Sequence, residues 1–163
     1  MINISGSGLA YELTHSFNLS EDFTNTIFNF NYAGFSSVSA SVGGSNLAYT
    51  EFNINTVSFT FVGNSVIDTV NVVAGCDFNI SEGLSSELNV YEINFKGDCG
   101  TPLYLSSVSA NEAYLNLRGQ TLNASNVVIT DINGINGTFN ATNSIDQGGN
   151  TNWSINENPS STS

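Results

Sequence analysis

Positive charge is almost missing from this chain of 163 residues, in which lysine and arginine number 2 against 14 aspartates and glutamates and one histidine, a formal net charge of -12. A nucleic-acid binder needs Lys and Arg to displace counterions from phosphates, and Lys96 and Arg118 cannot make such a patch, so nucleic acid is excluded as a direct partner. The same repulsion disfavours anionic membranes and acidic polysaccharides, leaving neutral glycans, cations and protein partners open. Long apolar runs are missing too. No stretch approaches the roughly 18 residues of a membrane helix, and residues 1–12 lack the basic and apolar regions of a signal peptide. The chain as it stands is therefore expected not to enter a membrane unaided. With only two cysteines and no C-x-x-C or His/Cys metal spacing, zinc is not expected. Helical periodicity is also lacking, since no window sustains i, i+3, i+4, i+7 apolar spacing behind a cap.

What is present is β material. Hydrophobic residues make up 40% of the chain and charged ones only 10%, with Asn, Ser, Thr and Gly between them. Asn and Gly suit turns better than helix interiors, while Phe, Tyr, Val, Ile and Thr suit pleated strands. Apolar residues alternate with polar ones from Leu9 to Leu13, Phe28 to Tyr32, Val57 to Phe61 and Val90 to Phe95, so each segment buries one face. Gly34, Gly43, Gly63, Gly83, Gly97 and Gly148 punctuate them as turns. The length fits one domain able to bury its own core.

A period longer than a strand is the most informative signal. One apolar series runs Phe78/Ile80, Leu103/Leu105, Val127/Ile129 and Trp153/Ile155 at steps of about 24 residues. A second runs Leu47/Tyr49, Val70/Val72, Ile93/Phe95, Leu115/Leu117 and Phe139/Ala141 at about 23. Residues one coil apart stack in line in a β-solenoid, so both series predict inward ladders of one wound sheet. The predicted class is all-β, a single-stranded parallel β-helix or solenoid, with residues 47–155 forming the solenoid. Residues 1–46 form an N-terminal β cap or first coils, and residues 156–163 a polar tail. A β-sandwich or jelly roll is the alternative, because its strands also recur at short intervals between turns. Cys76 and Cys99 lie one such step apart, which would place their Cα atoms about 4.8 Å apart on adjacent rungs. A disulfide there would contribute on the order of 3 kcal/mol; two reduced thiols are the other reading.

The stretch from Gly97 to Ile155 resembles the last coils of right-handed parallel β-helix proteins of bacterial surfaces and of tailed-phage structural proteins. The resemblance is carried by an opening Thr101-Pro-Leu-Tyr-Leu-Ser106 and a closing segment from Ala141 through Asn143, Asp146, Gly148 and Asn150 to Trp153. It covers a little over a third of the chain. These motifs imply turns and a terminal aromatic plug, with Asn143, Asn150 and Asn152 bonding their own backbone or stacking as amide ladders. No active site is implied.

Candidate chemistry is thin. His15 is the one imidazole, on an alternating strand with no nucleophile elbow beside it, and an edge-strand histidine accounts for it. Asp77, Glu92 and Asp98, or Asp131 with Asp146, are the carboxylates to weigh for glycosidic cleavage, yet they are scattered as solvated surface acids are. Oxygen side chains at Asp131, Asn133 and Asn136 hint at calcium but miss the EF-hand spacing, and Asn-Gly turns explain them without metal. No cofactor is expected. The N-x-S/T sequons, including Asn3, Asn123, Asn136, Asn140 and Asn152, follow from composition. Tyr32, Tyr49, Tyr91 and Tyr104 are candidates for stacking on sugar rings. The expected function is that of a non-enzymatic structural protein of a tailed-phage virion, a head decoration, fibre or tail appendage that oligomerises or docks on other virion proteins. The alternative is an adhesive or neutral-glycan-binding module of a secreted bacterial surface protein.

Overall fold

The structure, a computed structural model, describes residues 1–7, 15–19, 25–33, 37–42, 47–56, 58–62, 65–81, 87–109 and 111–157. These contain strands and no helix: β1 (Ile2–Ser7), β2 (His15–Leu19), β3 (Ile27–Ala33), β4 (Ser37–Val42), β5 (Leu47–Asn55), β6 (Ser58–Val62), β7 (Ser65–Val73), β8 (Asp77–Ile80), β9 (Glu87–Lys96), β10 (Leu103–Ser107), β11 (Ala113–Asn116), β12 (Thr121–Ser125), β13 (Val127–Thr130), β14 (Ile132–Ile135), β15 (Thr138–Asp146) and β16 (Trp153–Glu157). From β1 to β10 successive strands alternate between two faces. β1, β3, β5, β7 and β9 stack on one, and β2, β4, β6, β8, β10 and β13 on the other. β15 joins them, pairing with β12 through Thr138–Thr142 and with β13 through Ile145 and Asp146. Asn143, at a φ of 50°, makes the corner between the two parts.

Every pairing is parallel, so the chain is a wound β-solenoid and not an antiparallel sandwich. The strands within residues 1–46 continue the same two sheets: β1 pairs β3, β3 pairs β5, β2 pairs β4 and β4 pairs β6. In this region the described strands are coils. At the other end β16 runs to Glu157, and the rest of the expected tail lies outside the described residues, as do the expected strand at Leu9–Leu13 and the turns at Gly34, Gly43, Gly63 and Gly83.

Alternation sets what each coil buries. In Phe28-Asn-Phe30, Phe52-Asn-Ile54, Val70-Asn-Val72 and Ile93-Asn-Phe95 the apolar residues point inward and the Asn outward. Phe59, Phe61, Phe78, Ile80, Leu103, Leu105, Val127 and Ile129 line the opposite wall of the same core. The walls lock through rings: Phe30 meets Phe59 at 5.1 Å between centroids, and Phe78 meets Phe95 at 5.7 Å. Each fully buried ring or branched side chain stabilises the fold by about 1.5–3 kcal/mol relative to exposure. Leu115, Leu117 and Phe139 belong to this core as well, and Trp153 is partly buried, its ring 5.0 Å from that of Phe139.

The columns differ from the expected ones. Val70 pairs with Ile93 and Val72 with Phe95, as the spacing suggests, and Leu103 and Leu105 pair with Val127 and Ile129. Phe78, however, stacks under Leu105 rather than Leu103. Leu115 stands between Leu88 and Gly134, not between Ile93 and Phe139. Trp153 and Ile155 lie over Phe139 and Ala141 instead of over Val127 and Ile129. Coil length is the cause. Along the outward Asn positions the steps are 26, 24, 18 and 23 residues, then 17 between Asn123 and Asn140. Turns absorb the variation, so a uniform step aligns some rungs and misplaces others.

The cysteine pairing is corrected by the same offset. Tyr104 N–H donates to the Cys76 carbonyl at 3.0 Å, so the residue stacked on Cys76 falls in β10 while Cys99 sits earlier, in the Gly97–Thr101 turn. Both thiols are free: Cys76 is buried and Cys99 exposed. Burial pushes the Cys76 thiol up to about 12, only partly offset by Thr56, whose hydroxyl oxygen lies 3.9 Å away.

Candidate functional site

Outward asparagines build the main polar feature of the molecule. Asn29 donates its amide to Asn3 Oδ1 at 2.8 Å, Asn53 to Asn29 at 2.9 Å, Asn71 to Asn53 at 2.8 Å and Asn94 to Asn71 at 2.9 Å. Parallel pairing in register sets like residues about 4.8 Å apart, the separation at which one carboxamide reaches the next. Asn29, Asn53 and Asn71 therefore each spend a donor and an acceptor on their neighbours in the column. The column resumes beyond β9, where Asn140 donates to Asn123 at 2.9 Å.

Between Asn94 and Asn123 it is broken. Leu88, Asn89 and Val90 are all buried, and then Tyr91 and Glu92 both face outward before Ile93 and Phe95 turn in again. This irregularity is a corner of the coil. On the next coil the corner is made by a turn, Leu117–Gln120, inserted between β11 and β12. Arg118 and Gly119 take φ values of 52° and 88° there, and Gln120 N–H donates to the Leu117 carbonyl at 2.9 Å. Gly137 lets that turn seat on the following coil, since a Cβ there would lie 2.6 Å from Leu117 Cβ and 2.8 Å from the Gln120 carbonyl oxygen. β9 consequently pairs with β11 over Glu87–Asn89 and with β12 at Lys96, and among the described residues no strand pairs with Val90–Phe95 on that side.

The gap is a cleft of about 360 Å³. Tyr91, Glu92, Ile93 and Asn94 of β9 form one wall, and Leu117, Gln120, Thr121 and Asn123 the other. Ile93 and Leu117 are buried and give it an apolar floor, while Tyr91 is 41% exposed at the rim. Arg118 lies over the Tyr91 ring, its Cζ 4.7 Å from the centroid, a cation–π contact. Glu92 Oε1 accepts from Asn94 Nδ2 at 2.9 Å.

The other candidates are dispersed. Asp77 is exposed on β8, where partial burial raises its pKa. Asp98 lies in the Gly97–Thr101 turn, where the N–H groups of Thr101 and Gly100 hold its carboxylate below the usual range, each at 2.8 Å. Glu92 faces the cleft on the opposite sheet. Asp146 accepts from Gly148 N–H and Asn150 Nδ2. Asn150 also bonds the Ile129 carbonyl and Ile132 N–H, and Asn152 donates to Asn133 Oδ1 and the Gly134 carbonyl, so these closing-motif amides tie coils together. Asn133, proposed as a calcium ligand, thus has its side-chain oxygen occupied. Among the described residues no group of three or more His, Cys, Asp or Glu could hold a metal ion. Tyr104 is 43% exposed on β10, which belongs to the opposite sheet from the cleft walls; the side chains of His15, Tyr32 and Tyr49 lie outside the described residues.

Tyr91 and Glu92 were legible as candidates, but Asn94, Arg118, Gln120 and Asn123 were not. The signal for Asn94 and Asn123 was the recurring apolar-Asn-apolar triplet, which marks the outward column and shows where it is interrupted; Arg118 and Gln120 had none. No protein-family model, curated protein or solved structure matches this chain.

Proposed function

We propose that the chain is a non-enzymatic structural component of a tailed-phage virion, a head decoration, fibre or tail appendage that stabilises the particle or attaches its surface to a partner. The observation that carries this reading is the stack itself, a continuous core wound in parallel coils and tied along one face by carboxamide bonds. Such a rod resists bending and presents its flanks without needing moving parts. Protein partners, including further copies, dock by edge and shape, and the near absence of Lys and Arg, with Arg118 engaged on Tyr91, speaks against nucleic acid. No helix among the described residues is long and apolar enough to cross a membrane. Mass spectrometry of purified virions from the source of the chain tests the setting: it is expected in stoichiometric amount with the capsid proteins, and its absence from particles made while the chain is expressed overturns the virion assignment.

A second reading, a glycan-binding module of a secreted bacterial surface protein, is favoured by the exposed Tyr91 at the rim of the polar cleft. A secreted, cell-associated chain in fractionated cultures is its expected signature.

A further inference from the structure

Within each run of the asparagine column neighbouring carboxamides bond one another; across the cleft they do not. Asn94 Nδ2 is spent on Asn71 and Glu92, and Asn123 Oδ1 accepts from Asn140. What faces the gap from the β9 wall is the Asn94 carbonyl oxygen, an acceptor, and from the β12 wall the Asn123 amide, a donor. Neither has a partner among the described residues.

The structure assigns to this cleft a neutral saccharide, held by a hydroxyl that bridges the two ends of the interrupted asparagine column. This rests on the glycan-binding reading above and names its site. A bridging group must donate to Asn94 Oδ1 and accept from Asn123 Nδ2 at once. A hydroxyl does both, whereas a carboxylate or phosphate only accepts and an ammonium only donates. An anion would also meet Glu92, and a cation would leave the Asn123 amide facing positive charge. Water has the right chemistry, but a cleft of about 360 Å³ is roughly ten times the volume share of one water molecule. Its make-up, a buried apolar floor of Ile93 and Leu117 under a polar rim with an aromatic ring at one side, matches a sugar ring, which has an apolar C–H face and a hydroxyl edge. A peptide strand also carries donor and acceptor together. It would have to run along β9, and the pairings at Glu87–Asn89 and at Lys96 close that edge at both ends.

The test is a titration of the ¹⁵N-labelled full chain, followed by NMR, with neutral methyl glycosides of glucose, galactose, mannose and N-acetylglucosamine and their neutral tetrasaccharides. Glycerol, an acidic oligogalacturonate and an Asn-Gly pentapeptide are the comparison probes. At least one neutral saccharide is expected to shift the side-chain amide signals of Asn94 and Asn123 and the Arg118 guanidinium signal saturably, while glycerol and the acidic oligomer do not. Tyr91→Ala and Asn123→Ala should each weaken that binding by about tenfold or more with the backbone spectrum of distant coils unchanged; Tyr91 is exposed, so its variant keeps the test readable if Asn123→Ala perturbs the column. Saturable saccharide shifts clustered elsewhere, for example around Tyr104, overturn this site and leave the glycan reading standing. No shift with any saccharide overturns both. Binding of the peptide alone at the cleft overturns the proposal in favour of a protein partner.

Discussion

The two sides of the cleft keep one fold by different means. Before it, each coil lays one strand on the asparagine-bearing sheet, and the interior is filled by rings: Phe28, Phe30, Phe52, Phe59, Phe61, Phe78 and Phe95 interlock across the core. After it, each coil is shorter and bent at positive-φ positions, Asn126, Asp131, Asn136 and Asn143, and the interior is filled by Ala113, Ala124, Ala141 and Gly134 beside Leu and Ile. A shorter perimeter encloses a smaller cross-section, so side-chain volume must fall with it. At Gly134 there is no room at all, since a Cβ would lie 2.7 Å from the Phe139 ring. The wide coils are therefore vulnerable to loss of volume and the narrow ones to its gain.

Removing a ring from the wide part should have the largest effect. Phe78→Ala, at a side chain with no exposure that stacks on Phe59 and Phe95, is expected to cost about 3–5 kcal/mol in urea unfolding. The opposite change in the narrow part, Gly134→Ala, should cost about 1–3 kcal/mol by crowding Phe139. If both variants stayed within experimental error of the parent, the comparison would break.

The column of carboxamides supplies the next contrast. Asn53→Ala strands the Asn29 oxygen and removes one of the two acceptors of the Asn71 amide, which keeps Glu51 Oε1 at 3.2 Å, whereas Asn140→Ala strands only the Asn123 oxygen. Thermal unfolding should register roughly 1–2 kcal/mol for the first and about half of that for the second. Equal losses would mean that the column contributes nothing beyond its individual side chains.

Acid probes the junction between the two parts. Because Thr101 and Gly100 N–H groups hold Asp98 below the usual carboxylate range, its contribution is fully present above that range and is lost as pH falls through the lowered value. Asp77, raised by burial, acts in the opposite sense, its contribution lost as pH rises through the raised value. The gap in melting temperature between the parent and Asp98→Ala should therefore close on acidification; a gap that widened would refute the turn's role. No stability change is expected from the mildest test: a thiol reagent should modify Cys99 in the native protein and reach Cys76 only after unfolding, since burial keeps the Cys76 thiol protonated.

Strand identity and the inward residues were legible because alternation is local, and one residue of slip would expose a whole row of Phe and Ile. Vertical register was legible only in part: Val70 with Ile93 and Leu103 with Val127 stack as their spacing suggests, while other rungs do not. Leu115-Asn116-Leu117 has the same pattern as Ile93-Asn94-Phe95, yet its Leu115 stacks with Leu88, because an inserted turn displaced β11 from the column that Leu122-Asn123-Ala124 occupies. Only coil length separates the two, and coil length resides in turns such as Leu117–Gln120 and Gly97–Thr101, which share no common motif. The cleft inherits that blindness: Arg118 and Gln120 acquire their places from the insertion, not from any motif of their own.

Through the column each asparagine amide points back toward the coil that precedes it in the chain, from Asn29 to Asn3 and on to Asn140 and Asn123. Within each run of the column a turn emerging from the ribosome would thus find its acceptor already in position on the turn made before it. Assembly can proceed from the amino end as the ribosome delivers chain, each finished layer serving as the template for the next.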